Sequence, residues 1–228
     1  FNSFFRARQA KQVSNNSSDA WSSLFRLSSL FRLFFVPQCP FCQEPQQSDN
    51  ICAKCFKSVS FLTSACIKCQ EPFEYHIPGV YVCEKCSKQD LMFFDQMHCA
   101  MKYNEVIKNL IVRFKNQHDF SLANLFAKWI INRVDASCVF ENDVILVPVP
   151  LYKNRLIKRG YNQSLLLVKQ LSKLTNLKYT NVLERTRDTN SQATKTIAQR
   201  ADNVKNAFAL RNKYHGFVRG KKFVIVDD

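Results

Sequence analysis

The chain has 228 residues, enough for one large domain or for a small domain and a medium one. It is 46% hydrophobic and 22% charged, a globular balance, and its four glycines argue against a β sandwich or barrel with many turns. The formal net charge of +15 is uneven: residues 1–100 carry 10 basic and 8 acidic side chains, residues 101–228 carry 23 and 10. Such a basic half favours nucleic acid, phosphorylated ligands or acidic membranes, although charge alone also fits a simple solubility role.

Residues 1–20 are polar, with "NNSSD" at 15–19, and read as a disordered or frayed terminus. The chain starts on Phe1 rather than Met, so a piece of a longer protein is expected. A duplicated hexapeptide, "SSLFRLSSLFRL", follows at 22–33. Leu24, Leu27, Phe31 and Phe34 recur at helical spacing. Arg26 and Arg32 interrupt the apolar run and no small-residue cleavage site follows, which disfavours a signal peptide. The preferred reading of residues 1–36 is a basic amphipathic segment packing on its own protein; a membrane-surface helix is the other. No uninterrupted apolar run approaches the roughly 20 residues that cross a bilayer.

Residues 37–100 hold nine of the ten cysteines, eight of them as four C-x2-C pairs. Cys39 and Cys42 are followed, after nine intervening residues, by Cys52 and Cys55; Cys66 and Cys69 are followed, after thirteen, by Cys83 and Cys86. Two sulfurs at this spacing suit a metal better than a disulfide, and free thiols suit a reducing, cytoplasmic compartment. Each set of four thiolates can close one tetrahedral Zn2+, giving two structural zinc sites with no open coordination position. Short local loops favour two ribbons in series, with a cross-braced pairing as the alternative. Iron–sulfur spacings are not matched. Cys99 and Cys138 have no such partner and are expected to be small buried residues.

From Tyr103 the pattern turns helical, through Val106, Leu110, Ile111 and Phe114 and again over 120–134. "DVILVPVP" (143–150) reads as a buried strand, 162–174 as a helix and 178–185 as a short strand. Residues 186–196 read as a mobile loop, 198–208 as a short helix, and Phe223–Val226 as a last strand carrying Asp227 and Asp228 at its tip. Strand and helix alternate, so an α/β fold with an open parallel sheet is expected for residues 101–228.

Three stretches, "VPVPLYKNRLIKRGYNQS" (147–164), "RTRDTNSQATKTIAQRADNVKNAF" (185–208) and "KKFVIVDD" (221–228), resemble the ComF family of phosphoribosyltransferase-like proteins linked to DNA uptake in competent bacteria. Cysteine-pair ribbons at the N-terminus are typical of that family, and the likeness covers roughly residues 37–228. The resemblance implies a type I phosphoribosyltransferase-like sheet, incomplete at its C-terminal end because the family's Thr/Gly-rich phosphate loop would follow Asp228. It implies 5-phosphoribosyl-1-pyrophosphate as ligand, with Asp227 and Asp228 accepting hydrogen bonds from the ribose diol and Mg2+ bound to diol and pyrophosphate oxygens. Pro148 marks the end of the strand where the family's pyrophosphate loop lies. Arg155 and Arg159 suit phosphate oxygens, Gly160 allows close backbone approach, and Asn162 and Gln163 can donate amides; an ordinary helix start capped by Asn162 is the plain alternative. Gln192, Arg200 and Asn203 match positions of a loop that closes over pyrophosphate.

Two functions stay open. One is a phosphoribosyltransferase, or at least a binder of its donor, acting in natural transformation. The other is a non-catalytic accessory protein that binds single-stranded DNA, alongside competence machinery proteins, on the same scaffold.

Overall fold

The computed structural model describes residues 38–45, 51–75, 79–88, 94–134, 139–140, 143–189 and 202–228. The amphipathic segment expected over 1–36, Cys138, Gln192 and Arg200 lie outside the described residues. The chain forms two compact units, Phe1–Asp49 and Asn50–Asp228.

In the first unit, residues 38–45 make a tight knuckle. The Cys39 N–H donates to the Glu44 carbonyl at 2.9 Å and the Gln43 N–H to the Cys39 carbonyl at 2.8 Å. Gln43 takes a left-handed φ of 60° to close it. The second unit builds the same turn at Cys66: its N–H meets the Glu71 carbonyl at 3.0 Å, Gln70 returns to the Cys66 carbonyl at 2.8 Å, and Gln70 has φ 58°. The sequences agree as well, since both turns read C-x2-C-Q-E-P, at 39–45 and 66–72. Two short helices carry later cysteines of the ribbon region: α1 (Ala53–Phe56) and α2 (Glu84–Lys88).

Two longer helices follow. α3 (Glu105–Asn116) starts where the Asn104 side chain accepts the Ile107 N–H at 2.9 Å, a local N-cap. Its Ile107, Leu110 and Phe114 fall on one face and are buried. α4 (Ser121–Arg133) buries Leu122, Phe126 and Trp129 in the same manner. β1 (Ile145–Pro148) is buried along its whole length. It runs parallel to β4 (Phe223–Val226), with Ile145 opposite Phe223 and Pro148 opposite Val226. On its other edge Leu146 exchanges backbone hydrogen bonds with Lys178 and Thr180, so β1 has a neighbour on each side. A strand enclosed in this way needs apolar side chains on both faces, which is why its sequence does not alternate.

α5 (Lys153–Arg159) is short and buries nothing, whereas α6 (Gln163–Thr175) packs on α4 and on β1 and β4. Leu167, Val168 and Leu171 of α6 are almost fully enclosed, each contributing about 1.5–3 kcal/mol of burial. The region is α/β with a small parallel pair, as expected. One expectation fails: β2 (Leu183–Arg185) pairs antiparallel with β3 (Phe208–Leu210). The helix expected over 198–208 is seen at residues 202–204, and Phe208 already belongs to the strand. Asn206, at φ 57°, turns the chain, and the ladder to β2 then captures Phe208 and Leu210. Cys99 also departs from expectation, being exposed rather than buried. Among the described residues no helix is long and apolar enough to cross a membrane.

Candidate functional site

The cysteine clusters are built by their turns. Cys66, Cys69, Cys83 and Cys86 bring their sulfurs within 4.8 Å of one another. A tetrahedron with Zn–S bonds of about 2.3 Å has edges of about 3.8 Å. Cys69 and Cys83, 3.6 Å apart, already match. Burial alone would push the Cys66 thiol up, but backbone N–H groups of Cys69, Cys83 and Lys68 reverse this and bring it down to about 6. Cys86 is pushed up to about 12 by burial and by the sulfurs crowded around it. Four such thiols sharing one small space fit a divalent cation that replaces their protons. Within the second unit the third cysteine pair is thus used with the fourth, as the arrangement in series expects. The four-sulfur donor set fits structural zinc, held without an open position.

The second arrangement lies where β1 and β4 end together. The Val149 N–H donates to the Val226 carbonyl at 3.1 Å, which holds the two strand ends level. Asp227 and Asp228 follow at once. The first turn of α6 reaches both: Ser164 Oγ donates to Asp227 Oδ1 at 2.7 Å, and Gln163 Nε2 donates to Asp228 Oδ1 at 3.0 Å. Ser164 is fully buried and Gln163 nearly so. Lys115, near the end of α3, pairs with Asp228 Oδ2 at 2.7 Å. The Asp228 side chain is only 3% exposed, while that of Lys115 is 33% exposed. Arg159 donates to Gln163 Oε1, extending the chain of polar contacts to α5. The Asp227 carboxyl sits above the usual carboxylate range, first because neighbouring protein atoms weaken its hydration, although the residue keeps an exposed edge, and then because Asp228 is charged beside it.

The other expected residues divide. Pro148 is buried at the end of β1. Asn162 is the N-cap of α6: its Oδ1 accepts from Ser164 and Leu165, and its Nδ2 donates to the Val149 carbonyl at 3.0 Å. Gly160 takes φ 79° as the C-cap of α5, and a Cβ there would meet nothing within 4 Å, so backbone conformation alone accounts for the glycine. Arg155 pairs with Asp188 at 3.3 Å and donates to the Thr189 carbonyl. Arg185 donates to the Thr189 hydroxyl. Burial and then Arg155 push Arg185 down, while Asp188 and Asp227 oppose the shift. The carbonyl of Asn203 accepts from Arg187 at 3.1 Å. Lys115 and Ser164 were not found in the sequence, because neither belongs to a local pattern; only the packing of α3 and α6 brings them to the acids. A separate cavity of about 390 Å³, lined by residues such as Phe61 and Trp129, shares no lining residue with the acid pair.

Comparison with known proteins adds to this geometry. The double zinc ribbon domain family matches residues 30–87. Competence protein F of Haemophilus influenzae is 30% identical over 184 residues, which cover 79% of this chain and 78% of that protein. Competence protein ComFC of Bacillus subtilis is 28% identical over 136 residues, covering 55% and 52%. The DNA utilization protein YhgH of Escherichia coli strain K12 is 27% identical over 184 residues, covering 78% and 77%. No solved structure matches. With its ribbon cysteines, its strand-tip acids and this extent of similarity, the chain belongs to the ComF family.

Proposed function

We propose that residues 101–228 form a phosphoribosyltransferase-like domain that binds 5-phosphoribosyl-1-pyrophosphate, that residues 37–100 form a double zinc ribbon, and that the protein acts on DNA taken up in natural transformation. The observation that carries the ligand is the carboxylate pair at the end of β4, set among the cations Lys115, Arg155, Arg159 and Arg185. A ribose diol offers two hydroxyl donors to two carboxylates, and the phosphates on either side of it call for cations. Asp227 is exposed and presents its carboxylate to the ligand, while Asp228 is held in place by Gln163 and Lys115. Arg155 and Arg159 take phosphate oxygens as planar forks. Gln192, Arg200 and Asn203 match the family's pyrophosphate-binding positions. Mg2+, bound with the ligand, would supply charge neutralisation of the pyrophosphate. The process is supported by the names of the relatives, competence proteins and a DNA utilization protein.

The test is calorimetry of the purified protein with 5-phosphoribosyl-1-pyrophosphate and Mg2+. Replacing both acids, Asp227→Asn with Asp228→Asn, removes two charge-assisted hydrogen-bond acceptors. Each is worth roughly 1.5–3 kcal/mol, so affinity should fall at least tenfold. Unchanged affinity would mean that the acids are not the ribose site. No binding by the unaltered protein would end the donor reading.

A further inference from the structure

Residues 211–222, "RNKYHGFVRGKK", join β3 to β4. They hold five Lys and Arg side chains, a histidine and two aromatic rings, and no acid. The segment is a run of tight turns. Asn212–Tyr214 is a 3-10 turn, the Tyr214 N–H donates to the Arg211 carbonyl at 2.9 Å, and the Phe217 N–H donates to the Tyr214 carbonyl at 3.0 Å. The run is tied to the β2 region twice: the Arg211 N–H donates to the Val182 carbonyl at 2.9 Å and its Nε to the Leu183 carbonyl at 3.2 Å. The two rings pack against each other at 5.8 Å. Lys213 lies 5.0 Å from the Tyr214 ring centre and Lys221 4.2 Å from that of Phe217. Among the described residues no ion pair involves Arg211, Lys213, Arg219 or Lys221.

Five cations on twelve residues with no acid among them concentrate positive charge, and a polyanion that meets them gains by releasing its own counterions. The rings distinguish among polyanions. Phe217 is 37% exposed, with an ammonium group beside it. That combination suits an unstacked base with its phosphate alongside. A duplex hides its base faces, and a three-residue turn is too short to enter a groove as a recognition helix does. An anionic membrane would satisfy the cations, but the segment lacks the broad apolar face that inserts into lipid.

We infer that residues 211–222 form a binding surface for single-stranded nucleic acid, with Lys213, Arg219 and Lys221 taking phosphates and Phe217 stacking on a base. The surface precedes β4 and the acid pair follows it, so the two are separated by the strand, about 13 Å at 3.3 Å per residue. The inference does not depend on the proposed donor site.

The test is fluorescence anisotropy with a labelled single-stranded oligothymidylate of about 20 nucleotides, at several salt concentrations. Lys213→Gln, Arg219→Gln and Lys221→Gln together should weaken binding and reduce the log–log salt slope by about 2, at roughly 0.7 per phosphate contact. Phe217→Ala should weaken binding about 5- to 150-fold with the slope unchanged, and Phe217→Trp should retain it. Matching thermal melts would exclude misfolding as the cause. Asp227→Asn with Asp228→Asn should leave this binding intact, whatever it does to the donor. Wild-type affinity in the triple variant, or loss of binding in the double acid variant, would overturn the assignment. So would binding to phosphatidylserine vesicles without binding to the oligonucleotide.

Discussion

Lys115→Met removes the cation that faces Asp228 and keeps most of the aliphatic stem. The Asp228 side chain is 3% exposed, so water cannot readily replace the ammonium group. Removing one partner from a fully buried ion pair costs about 3–5 kcal/mol, whereas exposed pairs contribute about 0.2–1 kcal/mol. Lys115 is 33% exposed, and Gln163 still donates to the other Asp228 oxygen, so this pair falls between those limits. A loss of about 1–3 kcal/mol is expected after that allowance for solvent screening. Urea unfolding of the zinc-loaded protein, followed by far-UV circular dichroism, would measure it. The decisive form is a double-mutant cycle with Asp228→Asn, which leaves no charge for Lys115 to neutralise. The Lys115 effect should largely vanish in that background. Additive losses, with a coupling below about 0.5 kcal/mol, would show that the pair does not hold the strand tip.

The raised Asp227 carboxyl makes a pH prediction. The folded state holds this proton more tightly than the unfolded chain does, so the group is neutral to stability below about pH 4 and costs stability as pH rises through its raised pKa. Asp227→Asn should therefore be more stable than the unaltered protein at pH 7, with the difference closing in acid; urea midpoints across pH would show a constant difference if the reasoning fails. Metal analysis under reducing conditions should find about two zinc per chain, and Cys66→Ser or Cys86→Ser should lose one of them. A total of one zinc, or disulfides among these cysteines, would refute two closed sites. Gly160→Ala should cost about 1–2 kcal/mol, because φ 79° strains an L side chain although the space around it is open. No change in stability would mean that the α5 end relaxes freely.

What the sequence made legible was local or fully apolar. C-x2-C spacing is a chelate geometry in itself, and both β1 and the Phe223–Val226 strand appear as short apolar runs ended by polar or proline residues. The acid pair was visible for the same reason. Its partners were not: Lys115 is separated from Asp228 by more than a hundred residues, and Ser164 looks like any residue in the first turn of a helix. The β2–β3 pairing was hidden because 198–208 has helical spacing, while the ladder to Leu183 decides the outcome at Phe208. One signal was present and unread. The Gln-Glu-Pro that follows each leading cysteine pair marks both knuckles, with Gln43 and Gln70 taking the left-handed turn.

The edge-on contact between Phe61 and Trp129, 5.9 Å between ring centres, has an optical consequence. Phe61 lies five residues before Cys66, at the threshold of the second zinc turn. Trp129 belongs to α4, which packs on α6, the helix that grips both acids. The guanidinium of Arg133 covers the Phe61 ring at 3.8 Å. The indole thus stands between a metal-organised turn and the helix layer behind the strand tips. With Trp21 replaced by Phe, its emission becomes a gauge of whether the ribbon is seated, readable without a label while metal is withdrawn or a ligand is added at the first turn of α6.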